Sequence, residues 1–234
     1  MSNERQVAIV TGASRGIGKA TMKLLSDRNV LAIGISRSAD DSARDRKCDI
    51  RDETSVERVF REIASTHGRI DALVNCAGIA ARANDLALGI DDWEGMLRTN
   101  LIGTYFCCKH AIPQMRSQKY GRIVNVASLA GRSYSRTASV AYTASKYGVV
   151  GLTRQLAAEY GRDGVNINCV APSQTLSEML TSNVPDSELK QLAHANPMGR
   201  LAQPEEIAET ICFLASAQAS YINGAIVDVN GGLV

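Results

Sequence analysis

At 234 residues, with 45% hydrophobic and 21% charged side chains, the chain is long enough to bury a substantial core without metals or crosslinks. Its 26 basic and 24 acidic residues leave a net charge of +2, which excludes the electrostatic footprint of a nucleic-acid or anionic-membrane partner. No apolar run reaches the length of a bilayer span, and neither the three histidines nor the six cysteines show a metal-ligand spacing.

Taken in chain order, apolar runs alternate with helical patterns. "MSNERQ" leads into a strand at "VAIV" (7–10) with no apolar leader region, so a cytoplasmic location is expected. A helix follows from Gly16 to about Arg28, then a strand at "VLAIGI" (30–35) and a short one at "KCDI" (47–50). The spacing predicts a helix from Glu53 to His67 and a strand at "IDALVN" (70–75). A long helix, broken or ended near Pro113, leads to a strand in "RIVNVAS" (122–128). A helix from about Ala141 to Tyr160, a strand in "NINCVAP" (166–172), a helix at "QPEEIAETICFLAS" with its first-turn proline, and "AIVDVNGG" complete the order. Alternation of this kind implies one domain, residues 1–234, built on a parallel sheet with helices on both faces. Only a short stretch separates the second and third strands, near the minimum for a crossover, so its helix is a single turn or absent. Cysteines in runs such as "NINCVAP" and "ICFLAS" read as buried free thiols.

"VAIVTGASRGIGKA" sets Gly12, Gly16 and Gly18 between the first strand and the first helix. Glycine allows the tight turn and a close backbone approach, and the helix N-terminus offers N–H groups to a pyrophosphate. A glycine turn alone serves many strand–helix junctions. Its position at the first strand favours a nucleotide. An acid near the end of the second strand would hold a ribose 2′-hydroxyl, whereas an arginine accommodates a 2′-phosphate. Here stand Ser36 and Arg37, with Arg15 in the loop itself beside Ser14 and no acid before Asp40. The pattern favours NADP(H), with NAD(H) as the alternative.

Six motifs then fall in one order: "TGASRGIG" (11–18), "NCAG" (75–78), "TNLIGTYF" (99–106), "RIVNVASLAG" (122–131), "AYTASK" (141–146) and "NINCVAPSQT" (166–175). From Val7 to Leu233 the chain resembles the standard-length short-chain dehydrogenases/reductases. The resemblance implies a Rossmann-like, doubly wound α/β fold with a seven-stranded parallel sheet, in homotetramers or homodimers. It makes Asn100, Ser128, Tyr142 and Lys146 a catalytic tetrad. It gives Gly12, Gly16, Gly18 and Ile17 to the pyrophosphate, Asp49 and Ile50 to the adenine side, and Asn75, Ala77 and Gly78 to the cofactor lining. Pro172, Thr175 and Ser177 fall at the nicotinamide, and 176–200 becomes a substrate lid.

The chemistry agrees with the residue types. Reducing a carbonyl leaves an alkoxide that needs a proton. A phenol ionises near about 10, too high for efficient neutral-pH transfer, and a neighbouring ammonium favours its anion. Lys146 lies one helical turn beyond Tyr142, able also to donate to ribose hydroxyls. Taken singly, such a pair is usually a surface contact, Ser128 a strand terminator and Asn100 a helix cap or kink. Jointly they point to catalysis. Three departures stand out: 14 residues separate Ser128 from Tyr142, Ser173 replaces the usual glycine, and the second crossover is short. The substrate expected is a small carbonyl compound or alcohol, by default a 3-oxoacyl thioester. Arg82, Arg132 and Arg136 are either a patch for an acidic carrier or solvated surface. NAD-linked polyol or secondary-alcohol oxidation is the second reading, and a non-catalytic nucleotide-sensing scaffold the third.

Overall fold

The structure, a computed structural model, describes residues 5–42, 44–81, 88–135 and 137–233. Seven parallel strands, β1 Val7–Thr11, β2 Leu31–Ser36, β3 Asp45–Lys47, β4 Ala72–Asn75, β5 Gly121–Val126, β6 Val165–Pro172 and β7 Ile226–Val229, form one sheet in the order 3-2-1-4-5-6-7. The inner strands are buried on both sides, and for that reason "VAIVT" and "ALVN" read as unbroken apolar runs rather than alternating ones. Alternation persists underneath. Val7 and Ile9 pack with Phe60, Met115 and Leu156 on one face, while Ala8 and Val10 pack with Leu25, Ile207 and Ile211 on the other.

The helices are α1 Gly16–Asp27, α2 Glu53–His67, α3 Ile90–Leu97, α4 Gly103–Gln118, α5 Val140–Tyr160, α6 Glu178–Thr181, α7 Asp186–Ala195 and α8 Pro204–Leu214. Local chemistry sets their ends. Asp52 caps α2 by accepting from the Thr54 amide at 3.1 Å, and Gly68 closes it at φ 71°. Pro204 opens α8, and Glu206 reaches back to the Gln203 amide at 2.8 Å. Among the described residues no helix is long and apolar enough to cross a membrane.

Three local expectations are corrected. Pro113 neither breaks nor ends α4, which runs on to Gln118. Pro113 lies on the exposed side of the helix, as does Lys109, whose carbonyl it leaves without an amide, and buried Ala111, Ile112 and Met115 keep the helix on the sheet. The single long helix is instead divided upstream, by a π-helical turn at Arg98–Ile102 between α3 and α4. The third strand lies at Asp45–Lys47, before most of "KCDI": it pairs with Gly34–Ser36 through backbone alone, and Cys48 and Ile50 turn down into the core. As the short crossover requires, no helix stands between β2 and β3 among the described residues.

The chain winds outward from β1 to β3 and returns to β4 on the other side of β1. A crevice opens at the carboxyl ends of such a switch point, and there the candidate residues collect.

Candidate active site

The glycine turn is built by close backbone approach. Gly12 and Gly16 hold φ of 66° and 52°, and a Cβ on Gly12 would stand 2.8 Å from the backbone of Ala77. A Cβ on Gly18 would meet the Gly12 carbonyl oxygen at 2.3 Å. The Thr11 hydroxyl accepts from the Ala77 amide at 3.1 Å, tying "NCAG" to the end of β1. α1 begins at Gly16 with no side-chain cap. Its first-turn N–H groups are thus left for a ligand.

A cleft of about 690 Å³ runs over this turn. Gly12, Ser14, Arg15, Gly16, Ile17 and Gly18 line one stretch of it, Ser36, Arg37, Asp49 and Ile50 another, and Ala77, Gly78 and Ser177 the side toward the sheet. Arg51, which sequence reasoning did not single out, donates to both carboxylate oxygens of Asp49, at 2.6 Å for the shortest contact. That guanidinium holds the Asp49 carboxyl below the usual carboxylate range.

A second cavity of about 180 Å³ adjoins the cleft at Ile17, Cys76 and Gly78. Ser128, Tyr142 and Lys146 line it, as do Pro172, Thr175 and Ser177. Ser128 stands two residues past the end of β5, not on the strand, because the backbone turns there into a 3-10 turn whose first free amide, Ala130, its hydroxyl accepts at 3.2 Å. Lys146 is buried, donating to the Val126 carbonyl at 2.8 Å, with its Nζ 5.6 Å from the centroid of the Tyr142 ring. A Cβ added to Gly78 would sit 3.7 Å from that Nζ and 3.2 Å from Asn100 Oδ1. A side chain at residue 78 would take up space beside the ammonium and press on Asn100.

Asn100 and Asn75 do not line either cavity. Asn100 sits in the π-helical turn, almost wholly buried, with Oδ1 accepting from the Ile79 amide at 2.9 Å and Nδ2 donating to the Ile79 carbonyl at 3.0 Å and to Ser145 Oγ at 3.0 Å. Asn75 lies beneath the cleft and donates to Asn125 Oδ1 at 2.9 Å, while its own Oδ1 is the one buried side-chain polar atom among the described residues left without a partner.

Three supporting residues escaped the sequence reading. Ser139 caps α5 by accepting from the Tyr142 amide at 3.3 Å, and the serine three positions before an apolar-flanked tyrosine was a readable cap signal. Ser145 donates to the Tyr142 carbonyl at 2.7 Å while accepting from Asn100. Gly131 lets the Ser128 turn lie on α5, since a Cβ there would meet the Lys146 carbonyl oxygen at 2.6 Å. Neither of these last two has a local sequence signal. Within the 14-residue interval from Ser128 to Tyr142 stand that 3-10 turn and Ser135, whose hydroxyl accepts from the amides of Thr137 and Ala138 at 3.3 and 3.0 Å. Of the three arginines weighed as a carrier-protein patch, Arg82 and Arg136 lie outside the described residues, and Arg132 is bound two-pronged by Asp228 at 3.0 and 3.1 Å. Cys76, half-buried at the junction of the two cavities, has its thiol pushed up to about 12 by burial, so it stays neutral.

The two-cavity arrangement suits a dinucleotide in the larger cleft and a small molecule in the smaller. An uncapped helix start, arginines along the wall and a side-chain-free gap beside a lysine fit the phosphates and ribose of a nicotinamide cofactor.

Comparison with known proteins agrees. The model of a family described as enoyl-(acyl carrier protein) reductase matches residues 12–234. Cis-4-hydroxycyclohexanecarboxylate dehydrogenase of Sinomonas cyclohexanicum is 38% identical, over 97% of this chain and 96% of its own. 3-oxoacyl-[acyl-carrier-protein] reductase FabG of Vibrio cholerae is 35% identical, over all of this chain and 99% of its own. A solved structure of ElxO with NADP bound has a TM-score of 0.91 at 30% identity, with 98% of each chain covered.

Proposed function

The chain belongs to the short-chain dehydrogenase/reductase family and is an NAD(P)-dependent oxidoreductase of carbonyl and alcohol groups, and we propose that it works with NADP(H), using Tyr142 as general acid and base. One observation carries the reading. Ser128, Tyr142 and Lys146 line a single small cavity that meets the cleft at Gly78, where the lack of a side chain leaves space next to Lys146.

A nicotinamide cofactor held along Gly12, Gly16, Gly18 and Gly78 would supply the hydride chemistry. The chain's own residues do the rest. Ser128 donates a hydrogen bond to the substrate oxygen and holds it toward the phenol. Tyr142 gives that oxygen its proton in reduction and removes it in oxidation. Lys146 sets a cation near the phenol ring, so negative charge left on the phenolic oxygen meets a fixed positive partner. Asn100 acts through others, clamping Ile79 at the cavity wall and binding Ser145 one residue before Lys146.

NADP(H) is supported by Arg15 and Arg37 on the cleft wall, by the FabG relatives and by the ElxO likeness. A 3-oxoacyl thioester is the default substrate class on the same relatives. A second reading, NAD-linked oxidation of a polyol or other secondary alcohol, is favoured by the capture of Arg132 by Asp228, which removes it from a carrier-binding patch. Exposed Tyr105, Tyr147 and Phe213 on α4, α5 and α8 support a homotetramer or homodimer.

Tyr142→Phe tests the mechanism. Turnover is expected to fall by about two to four orders of magnitude, the range general acid–base catalysis supplies, while calorimetry returns an unchanged cofactor affinity. Retained turnover would overturn it.

A further inference from the structure

Across the cofactor cleft, the glycine loop and the first turn of the 176–200 segment are joined by a charge pair. Arg15, the residue before α1, donates from Nη1 to Oε2 of Glu178, the first residue of α6, at 3.5 Å. The backbones close beside it: a Cβ on Gly16 would stand 3.4 Å from the Cβ of Ser177. Arg15, Gly16, Ser177 and Glu178 all line the cleft.

The cleft wall carries three described arginines, and their commitments differ. Arg51 is engaged by both oxygens of Asp49. Arg37 is exposed and forms no ion pair among the described residues. Arg15 alone is matched to a carboxylate that comes from the segment over the cleft rather than from the wall. Both partners are more than half exposed, at 53% and 68% of their side chains, so the pair is weak and readily exchanged. A phosphate monoester carries up to twice the charge of a carboxylate and three acceptor oxygens, and a guanidinium binds it two-pronged.

We infer that Glu178 is a determinant of cofactor discrimination: its carboxylate competes with the 2′-phosphate of NADP(H) for Arg15, so NADP(H) binding exchanges one anion for another where NAD(H) binding does not. The inference rests on the NADP(H) reading of the cleft. It makes the 176–200 segment part of the cofactor specificity of the protein, not only of its substrate specificity.

Isothermal calorimetry of the full chain at low ionic strength tests it, with NADPH and NADH titrated separately into wild type, Glu178→Gln, Arg15→Ala and the double variant. Glu178→Gln is expected to tighten NADPH by about two- to fivefold, the range an exposed ion pair supports, and to leave NADH unchanged. Arg15→Ala is expected to weaken NADPH selectively and to abolish the effect of Glu178→Gln in the double variant. Equal tightening of both cofactors would overturn the inference, since it would mark Glu178 as a general repulsive charge. A wild-type preference for NADPH that Arg15→Ala narrows but Glu178→Gln leaves untouched would overturn it alone. Equal wild-type affinities would overturn the NADP(H) reading and the inference with it.

Discussion

Gly78 is where a single missing atom decides what the site can hold. Its backbone is not in the left-handed region, so alanine meets no conformational penalty there, but the new methyl would stand 3.2 Å from Asn100 Oδ1 and 3.7 Å from Lys146 Nζ. The first distance is tight, and Asn100 has no room to give, because its amide is fixed by Ile79 and Ser145. The methyl therefore crowds the gap beside the ammonium. Gly78→Ala is expected to lower kcat/KM by about a hundredfold, the scale of a small misplacement at a reacting centre, and to lower the thermal midpoint modestly, because the methyl strains the fixed amide of Asn100. Steady-state kinetics beside circular dichroism melting checks this, and unchanged kinetics would refute it. Asn100 illustrates what residue types reveal and what they hide. Read from sequence, it was either a helix kink or a member of the site. It lies in the π-helical turn that interrupts the helix, as the kink reading has it, and its amide there braces Ile79 and Ser145. Asn75 shows the converse. The resemblance places it at the cofactor lining; the structure adds that its side chain is buried against Asn125 and Cys108, a contact that depends on β5 and α4 and leaves no trace in the four residues of "NCAG".

Elements with a strong period were legible to within a residue or two. α2 was read at its observed bounds because Asp52, the 3.6-residue apolar stripe and Gly68 agree. The failures were at places where tertiary contact overrides local preference. Pro113 argued for a helix end, but sheet packing on one side and water on the other let α4 continue. β3 is polar and pairs through its backbone at the sheet edge, so no apolar pattern announced its true start. α8 supplies a test at this scale. Glu206, at its third position, accepts from the Gln203 amide and from both terminal nitrogens of Arg200 at 2.7 and 2.6 Å, which holds its carboxyl down to about 2. The unfolded chain binds that proton near the ordinary value of 4.5, so the folded state is favoured wherever the carboxyl is ionised in it. The contribution is complete above pH of about 4.5 and disappears as the pH falls to about 2. Glu206→Gln is accordingly expected to be less stable than wild type at pH 6, with the difference shrinking steadily below pH of about 4.5. Urea unfolding across that range measures it. A pH-independent difference would show that the cap hydrogen bond alone, without the charge, accounts for the effect.

At the scale of the whole molecule, the sheet positions both walls of the site, including the one sequence could say least about. The crevice wall comes from the ends of β1, β2 and β4, which the register sets side by side; the alternation of runs implied a parallel sheet but not this order. The facing segment, 176–200, has no strong period, but its two feet are tied to the sheet end. Leu176 donates to the Ala202 carbonyl at 2.8 Å, and Ala202 to the Gln174 carbonyl at 3.1 Å, so the segment leaves and returns through one backbone bridge. Asn196, just past α7, is buried and donates to the Asn230 carbonyl at 3.0 Å while accepting from the Met198 amide at 2.9 Å. The turn after β7 makes that contact possible. Gly231 holds φ of 66°, and a Cβ there would meet Asn196 Oδ1 at 2.5 Å. The last strand therefore sets the height of the segment over the cavity that Met179, Leu180, Asn183 and Val184 help to line. Asn196→Ala removes both hydrogen bonds and leaves the Met198 amide without its acceptor, a loss of about 1–3 kcal/mol confined to this foot. The variant is expected to exchange amide hydrogens faster across 176–200 while the strands of the sheet keep their protection, and to raise KM for the carbonyl substrate more than it lowers kcat. Hydrogen-exchange mass spectrometry with steady-state kinetics separates the cases: uniform loss of protection in sheet and segment alike would mean that Asn196 supports the fold as a whole, and that the C-terminal turn does not set the segment's position.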